Sequence, residues 1–424
     1  MSRICLSVVV CILIWFITAL SQDLLMDLFE VTETEDRELL RTAQLSPSGT
    51  TVSWSPSHDV LCLLDIVTGL TSCRPLPDMM AVPVPFRWSS DGQFLAGSED
   101  VFRLLRDPDI WVVDVATESI FDCTDDGVWG GYFGKELAVH WIDFLPTWDP
   151  ATGDLLFFRS ESADDGLSLD LMRLSPAGFM ALGSPAEPEV VVPLSGVLPS
   201  GLPFLGHPAI SPDSATMAFI VLANTRDNPA NGIWVLDLTA GTAHQLAGAN
   251  AFRQPATDWH DPSNVFPVQV AWTSGGDGLA VLVTDLSYSG DWVAQNICYL
   301  DPVSRSITFL FSYAGYQDRE QFFAPDEEGH TGVFRVPRQA ILTRDSRHLI
   351  SVHTNDGAKE VTFVAQALPP HREAPRTLGS IPIDPRASQY AQLNPQLTIV
   401  NNAATALVFS RYLVSFAEAE LNER

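Results

Sequence analysis

A recurring unit constrains the fold of this chain more than any other feature. Each copy consists of an apolar residue, a polar turn rich in Ser, Asp, Pro and Gly, and a second apolar run. The turn residues favour tight backbone bends and the flanking runs are too short for helices, so each copy predicts a β-hairpin. The apolar residues before the turns lie 43 to 70 residues apart and are Leu45, Trp88, Trp148, Ile210, Trp272, Leu342 and, in a weaker seventh copy, Val400.

A second short apolar run that ends in aspartate follows most of these hairpins. A polar turn and another β-rich run come after it, which makes four strands per unit. Repeated four-stranded units cannot bury both of their faces alone, so they pack on one another around an axis as β-propeller blades. The clearest of the aspartates that end the run are Asp65, Asp114, Asp237 and Asp301.

The sequence therefore predicts an all-β fold, a single β-propeller of four-stranded antiparallel blades over residues 45–418. Seven hairpins favour seven blades, and six blades with the last hairpin as an appendage are the alternative. The seventh unit is short of strands, and a strand from segment 22–44 would complete it and close the ring, which would remove exposed sheet edges. Trp88, Trp148 and Trp272 are expected to pack between blades.

The form of the repeat also resembles a known family. A turn of the Ser-Pro-Asp-Gly type followed by a strand of the Ile-Trp-Val-x-Asp type resembles the TolB-like, WD-repeat-like propellers, best over residues 88–114 and 210–237. The resemblance extends from about residue 45 to about residue 410. It implies an exported bacterial propeller, in a family that includes envelope proteins that bind partner proteins. The same propeller type precedes catalytic domains in some peptidases.

The N-terminal 21 residues are typical of a secretory signal peptide. Arg3 is their one positive charge, and an almost unbroken apolar run extends from Ile4 to Leu20. An uncleaved N-terminal anchor is the alternative, because the run is close to the length that spans a bilayer. Either interpretation predicts an extracytoplasmic protein, which is secreted, periplasmic or membrane-anchored and facing outward.

The cysteine positions are consistent with export. If Asp65 and Leu70 face each other across the turn that they flank, then Cys62 faces Cys73 on neighbouring strands. Directly opposed strand residues are close enough for a disulfide, and an oxidising compartment permits one. The chain has no C-x-x-C pair, so a structural zinc site is not indicated.

The charge of the chain excludes one class of partner. Its formal net charge is −28, with 24 basic against 52 acidic residues. Such a surface repels nucleic-acid phosphates and anionic lipid headgroups. We therefore expect no nucleic-acid partner, and membrane contact only through the N-terminal segment if that segment is uncleaved.

The residues in excess of a minimal blade lie mostly between the last strand of one unit and the first strand of the next. These connections, in 124–146, 195–207, 250–267 and 312–337, are expected to share one face of the propeller and are rich in aromatic residues. Insertions on one face often form a binding surface, here for a protein partner in the envelope. The alternative is that they pack on each other as a cap. The predicted binding residues are Trp129, Tyr132, Phe133, His140, Trp141, His207, Trp259, His260, Tyr316, Phe322 and His330.

Catalytic signatures are absent from the sequence. It contains no G-x-S-x-G, H-E-x-x-H or G-x-x-x-x-G-K-[ST] motif, so it predicts no catalytic residue, no cofactor and no metal site. Four histidines in the same-face connections leave an alternative open, because some propeller-type polysaccharide lyases gather histidines above the channel. That alternative is a saccharide-acting lyase or hydrolase, and its histidines are His140, His207, His260 and His330.

Overall fold

A computed structural model gives the fold. It describes residues 26–30, 44–57, 60–65, 67–76, 86–98, 109–125, 141–163, 166–176, 187–195, 197–198, 204–205, 208–223, 225–253, 263, 265–285, 292–316, 340–343, 347–355, 360–369, 373–382, 397–399, 405–409 and 412–416. These residues form β-strands and one short 3₁₀ helix, Ala249–Phe252. The predicted all-β class is therefore confirmed.

Six sheets follow one another along the chain, and each is built on an antiparallel meander that we call a blade. Blade one contains Gln44–Leu45 (β2), Thr51–Ser57 (β3), Val60–Asp65 (β4) and Thr71–Pro75 (β5). Blade two contains Arg87–Trp88 (β6), Phe94–Ser98 (β7), Ile110–Asp114 (β8) and Ile120–Asp122 (β9). Blade three contains Trp141–Trp148 (β10), Leu155–Ala163 (β11), Gly166–Leu174 (β12) and Glu189–Pro193 (β13).

Two of the next three blades vary this plan slightly: the first strand of blade four is in two pieces, and blade six has a fifth strand. Blade four contains Phe204–Leu205 (β14), Ala209–Ile210 (β15), Thr216–Leu222 (β16), Gly232–Asp237 (β17) and Thr242–Gly248 (β18). Blade five contains Val265–Trp272 (β19), Leu279–Asp285 (β20), Trp292–Leu300 (β21) and Ile307–Tyr316 (β22). Blade six contains Ala340–Leu342 (β23), His348–Asn355 (β24), Glu360–Ala367 (β25), Arg376–Pro382 (β26) and Leu397–Ile399 (β27).

Local hydrogen bonds explain why the repeated turns form where they do. In five blades the residue that starts the first turn carries a hydroxyl, which accepts a backbone N–H five residues later at 2.9 to 3.0 Å. In the second turn, the aspartate that ends the third strand accepts the N–H groups two and three residues on. These side chains fix the turns without tertiary contacts. The hydroxyl residues are Ser46, Ser89, Ser211, Thr273 and Thr343, and the aspartates are Asp65, Asp114, Asp237 and Asp301.

Neighbouring blades pack face to face through apolar side chains. Five hydrophobic clusters each join two consecutive blades, from blades one and two to blades five and six. From blade one to blade five, the first strand of each blade contacts the first strand of the next, and β19 of blade five contacts β27 of blade six. At the end of these strands, the indole N–H groups of Trp88, Trp148 and Trp272 donate to a backbone carbonyl of the preceding blade. The predicted packing of these tryptophans between blades is confirmed.

The two ends of the described chain meet in a smaller sheet of three strands. Met26–Glu30 (β1) pairs with Tyr412–Phe416 (β29), which pairs with Thr405–Phe409 (β28). The strand β28 contacts both β2 of blade one and β23 of blade six, so this sheet lies between the first and last blades. A strand from the segment before residue 45 thus takes part in closing the ring.

The propeller has six blades. The favoured prediction of seven blades is therefore wrong, and the alternative of six is confirmed. The reason is the pairing of β27, which precedes the last hairpin and would have been the first strand of a seventh blade. It pairs in parallel with β23 and extends blade six instead. The last hairpin is left with β1 as its third strand.

The one disulfide among the described residues lies in blade one. Cys62 on β4 is directly opposite Cys73 on β5, and their sulfur atoms are bonded. Cys62 is buried, whereas Cys73 is exposed along with the rest of β5. Because β5 is the outermost strand and buries no side chain, this bond attaches it covalently to the blade.

Candidate functional site

The two faces of the propeller carry different chain segments: turns within blades lie on one face, and connections between blades attach at the other. The first turns of neighbouring blades contact one another on one face, where Ser90 Oγ donates to Pro150 O and Ser214 Oγ donates to Asp149 Oδ1. Because the four strands of a blade alternate in direction, the fourth strand ends and the next blade begins on the opposite face. We call these the turn face and the loop face. The connections between blades therefore attach at the loop face.

Most of the predicted binding residues lie outside the described residues. Trp141 and Tyr316 are the two exceptions, at the start of β10 and at the end of β22, which are both loop-face ends of strands. The convergence of this set on one surface therefore stays a prediction. The residues outside are Trp129, Tyr132, Phe133, His140, His207, Trp259, His260, Phe322 and His330.

Trp141 belongs to a cluster at the loop-face end of blade three. The guanidinium of Arg159 lies 4.4 Å from the centre of the Trp141 ring. It also donates two hydrogen bonds to Asp143, from Nε to Oδ1 at 2.7 Å and from Nη2 to Oδ2 at 2.6 Å. The Asp143 side chain is 0% exposed and that of Arg159 is 13% exposed, so this is a buried bidentate ion pair. Trp141 is held in place through a cation–π contact with a fixed cation.

Two further carboxyl groups lie beside this ion pair. The strand register places Asp170 opposite Arg159, and Glu161 opposite Trp141. Burial raises the pKa of the Asp170 carboxyl, and the nearby Glu161 raises it further, while Arg159 acts in the opposite sense. All five side chains lie on the side of blade three that faces blade two, since Phe157, two residues before Arg159, packs in the cluster between these blades.

A second arginine lies at the base of the connection between blades four and five. Arg253 follows the 3₁₀ helix, and its Nη2 donates to the carbonyl of Ser263 at 2.9 Å. Its guanidinium also lies 5.9 Å from the Phe266 ring at the start of β19. Arg253 thus links the described residues on the two sides of the connection that contains Trp259 and His260.

Three carboxylates of blade two form the one group among the described residues whose ligand atoms could share a metal ion. Their oxygens all lie within 4.8 Å of one another, and the residues are Asp109, Asp122 and Asp125. Thr124 Oγ1 donates to Asp109 Oδ1 at 3.3 Å, so part of this charge is already hydrogen-bonded. Oxygen donors at this spacing suit a hard cation such as Ca²⁺.

The sequence did not indicate either cluster. The three aspartates come together because the start of β8 lies next to the end of β9, and no metal-binding spacing links them. Arg159 and Asp143 lie 16 residues apart and meet through the register of β10 and β11. The one sequence signal for the ion pair was that Asp143 and Arg159 are charged residues within two largely apolar strands.

No helix in the described part of the chain combines the length and the apolar character that crossing a membrane requires. The predicted signal peptide or anchor, residues 1–21, lies outside the described residues.

Comparison with known proteins gives structural neighbours only. No family model matches the chain, and no curated protein matches it. The putative TolB from Agrobacterium tumefaciens is similar over 65% of this chain and 82% of its own, with 14% identity and a TM-score of 0.39. TolB from Acinetobacter baumannii is similar over 77% and 60%, with 9% identity and a TM-score of 0.37.

An oligogalacturonate lyase in complex with manganese is similar over 93% of this chain and 94% of its own, with 12% identity and a TM-score of 0.49. At such low identity these similarities concern the fold and assign no activity. The chain is a six-bladed β-propeller, and its structural neighbours include TolB-like propellers.

Proposed function

We propose that this chain is an exported, non-enzymatic propeller that binds a protein partner or ligand in the cell envelope through the aromatic connections of its loop face. The observation that carries the proposal is the asymmetry between the two faces. Ser, Thr and Asp side chains of the turn face form hydrogen bonds within their own turns and to neighbouring turns. The connections that hold most of the predicted aromatic residues attach at the other face.

The ion pair in blade three supports this proposal. Recognition surfaces concentrate their affinity in a few aromatic and arginine side chains that are held rigidly before binding. Trp141 fits this description, because the Arg159 guanidinium lies over its ring and is itself fixed by Asp143. Loops that carry binding residues on a rigid scaffold are common in repeat folds.

The test is capture of a partner from an envelope extract by the immobilised protein. The loop-face variant is Trp129→Ala combined with Trp259→Ala. The matched control is Val67→Ser combined with Val303→Ser, which changes two turn-face side chains that are 78% and 91% exposed. We expect a specifically captured protein to be lost with the loop-face variant and retained with the control. Equal capture by all three proteins, or loss with the control alone, would overturn the proposal.

The alternative of a saccharide-acting lyase or hydrolase stays a prediction from the sequence. It depends on four histidines that lie outside the described residues, His140, His207, His260 and His330. The same preparations can be incubated with acidic and neutral polysaccharides. Depolymerisation that is lost on changing two of these histidines to alanine would favour the alternative.

A further inference from the structure

We propose that Arg87, on the first strand of blade two, is an anion-binding residue that takes the carboxylate or phosphate group of a small ligand near the propeller axis. This site is separate from the loop-face connections and does not depend on the function proposed above.

The position of Arg87 follows from its strand. Arg87 lies on β6, the first strand of its blade, and β6 contacts the first strands of both neighbouring blades, β2 and β10. Its register partner is Ala96, which packs in the cluster between blades two and three. The adjacent Trp88 packs in the cluster with blade one. Because successive side chains of a strand point to opposite faces, the Arg87 side chain lies on the side that faces blade three.

The backbone around Arg87 is fixed on the same side. The Trp148 indole of blade three donates to the Arg87 carbonyl at 2.8 Å. The Ser98 side chain lies two residues beyond Ala96 on the same side of β7 and is 4% exposed. Arg87 therefore extends from a rigid backbone position, with a hydroxyl-bearing residue on the same side of its blade.

The unusual property of Arg87 is that its charge is not balanced. Three other arginines of blades one to three have a carboxylate within 4.0 Å, in the pairs Arg74–Glu118, Arg159–Asp143 and Arg173–Asp154. Arg87 makes no such pair within the described structure. This is notable in a chain with 52 acidic residues and a net charge of −28, where carboxylates are abundant.

The surroundings of Arg87 make this imbalance costly. The residue is half-buried, and burial lowers the pKa of its guanidinium, with no carboxylate acting in the opposite sense. Buried charges in proteins are normally paired, and a guanidinium is suited to two parallel hydrogen bonds with a carboxylate or phosphate. An anion bound there would supply the missing counter-charge.

The experiment measures thermal stability and calorimetric binding with two probes, sodium malonate and sodium phosphate, at constant ionic strength adjusted with sodium chloride. The proteins are the unmodified chain, Arg87→Met and, as a matched control, Arg305→Met, which removes a charge from an exposed turn of blade five. We expect a saturable rise in the unfolding temperature of the unmodified chain and of Arg305→Met with at least one probe, and none with Arg87→Met. The probe that produces the rise identifies the carboxylate or the phosphate as the preferred group.

A second variant decides the matter if Arg87→Met does not fold. Arg87→Lys keeps the positive charge but cannot present two parallel donors, so binding of the effective probe should weaken by about 10-fold. An equal rise for Arg87→Met and the unmodified chain, no rise in the unmodified chain with either probe, or unchanged affinity of Arg87→Lys would each overturn the proposal.

Discussion

The indole N–H groups of Trp88, Trp148 and Trp272 make the same hydrogen bond at three blade boundaries. Each donates to the backbone carbonyl of a first-strand residue in the preceding blade, at 2.8 to 3.2 Å. The aromatic ring fills space between two blades while the N–H group donates to a backbone carbonyl across the blade boundary. A tryptophan at the end of the first strand therefore both packs between two blades and fixes their relative position through a hydrogen bond.

Trp272→Phe tests this bond. The variant keeps an aromatic ring but leaves the Ala209 carbonyl without its donor, and we expect a loss of about 1–3 kcal/mol in the free energy of unfolding. Trp111→Phe is the control, because Trp111 is similarly buried and its indole donates no hydrogen bond among the described residues. Urea unfolding monitored by circular dichroism measures both variants. Equal losses would show that the inter-blade hydrogen bond contributes nothing beyond ring size.

Two aspartates should respond to pH in opposite directions. The Ser211 hydroxyl and the Ala215 N–H lower the pKa of Asp213, so its contribution to stability is present at neutral pH and is lost as the pH falls through the folded-state pKa. Burial and Glu161 raise the pKa of Asp170, so its contribution is present in acid and is lost as the pH rises.

We therefore expect Asp213→Asn to destabilise the protein at pH 7 and to have less effect near pH 3. Asp170→Asn should gain stability relative to the unmodified chain between about pH 4 and pH 7, since it removes a carboxylate that is costly to ionise. Urea midpoints measured across this range test both trends. Parallel curves for a variant and the unmodified chain would contradict the corresponding assignment.

At the scale of strands and turns, the parts that the sequence predicted are those fixed by local chemistry. The hydroxyl and aspartate side chains form hydrogen bonds within their own turns. The positions of the first hairpins, and the pairing of Cys62 opposite Cys73, can therefore be predicted from residue spacing in the sequence. The pairing of β27 with β23 could not be predicted in this way, because parallel pairing between separate segments leaves no local sequence signal. The cluster of Trp141, Asp143 and Arg159 depends on register across two strands and was also missed, although Trp141 itself was expected at a binding surface.

The ion pair of blade three gives a prediction at this scale. Arg159→Met removes the guanidinium that forms a bidentate pair with the fully buried Asp143, and we expect a loss of about 3–5 kcal/mol in stability. Combining it with Asp143→Asn removes the buried negative charge and should recover most of that loss. Urea unfolding of the two single variants and the double variant provides a thermodynamic cycle. A double variant as unstable as the sum of the single variants would show that the two side chains are not coupled.

At the scale of the whole molecule, the recurring hairpins predicted a ring. Contacts between first strands trace it from blade one to blade five, and β27 and β28 complete it through blade six back to blade one. The number of blades was harder to predict, because the last hairpin has the turn signature of a blade but only three strands, one of which comes from the N-terminal side. The ring thus depends on β1 and β29, which are separated by nearly the whole chain. Closure of this kind protects sheet edges and makes stability depend on both chain ends.

The most direct test of the ring is a cross-link between its two ends. Leu28 on β1 is opposite Val414 on β29, so the pair Leu28→Cys and Val414→Cys should form a disulfide on mild oxidation. Burial raises the pKa of Cys123 and Cys298, which keeps these thiols unreactive under the same conditions. We predict that peptide mass mapping finds the 28–414 bond. Little or none is expected in a control with Leu28→Cys and Ser415→Cys, because the register places Ser415 opposite Asp27 and not opposite Leu28. Failure of the first pair to cross-link, or equal cross-linking of both, would contradict a ring closed by the two chain ends.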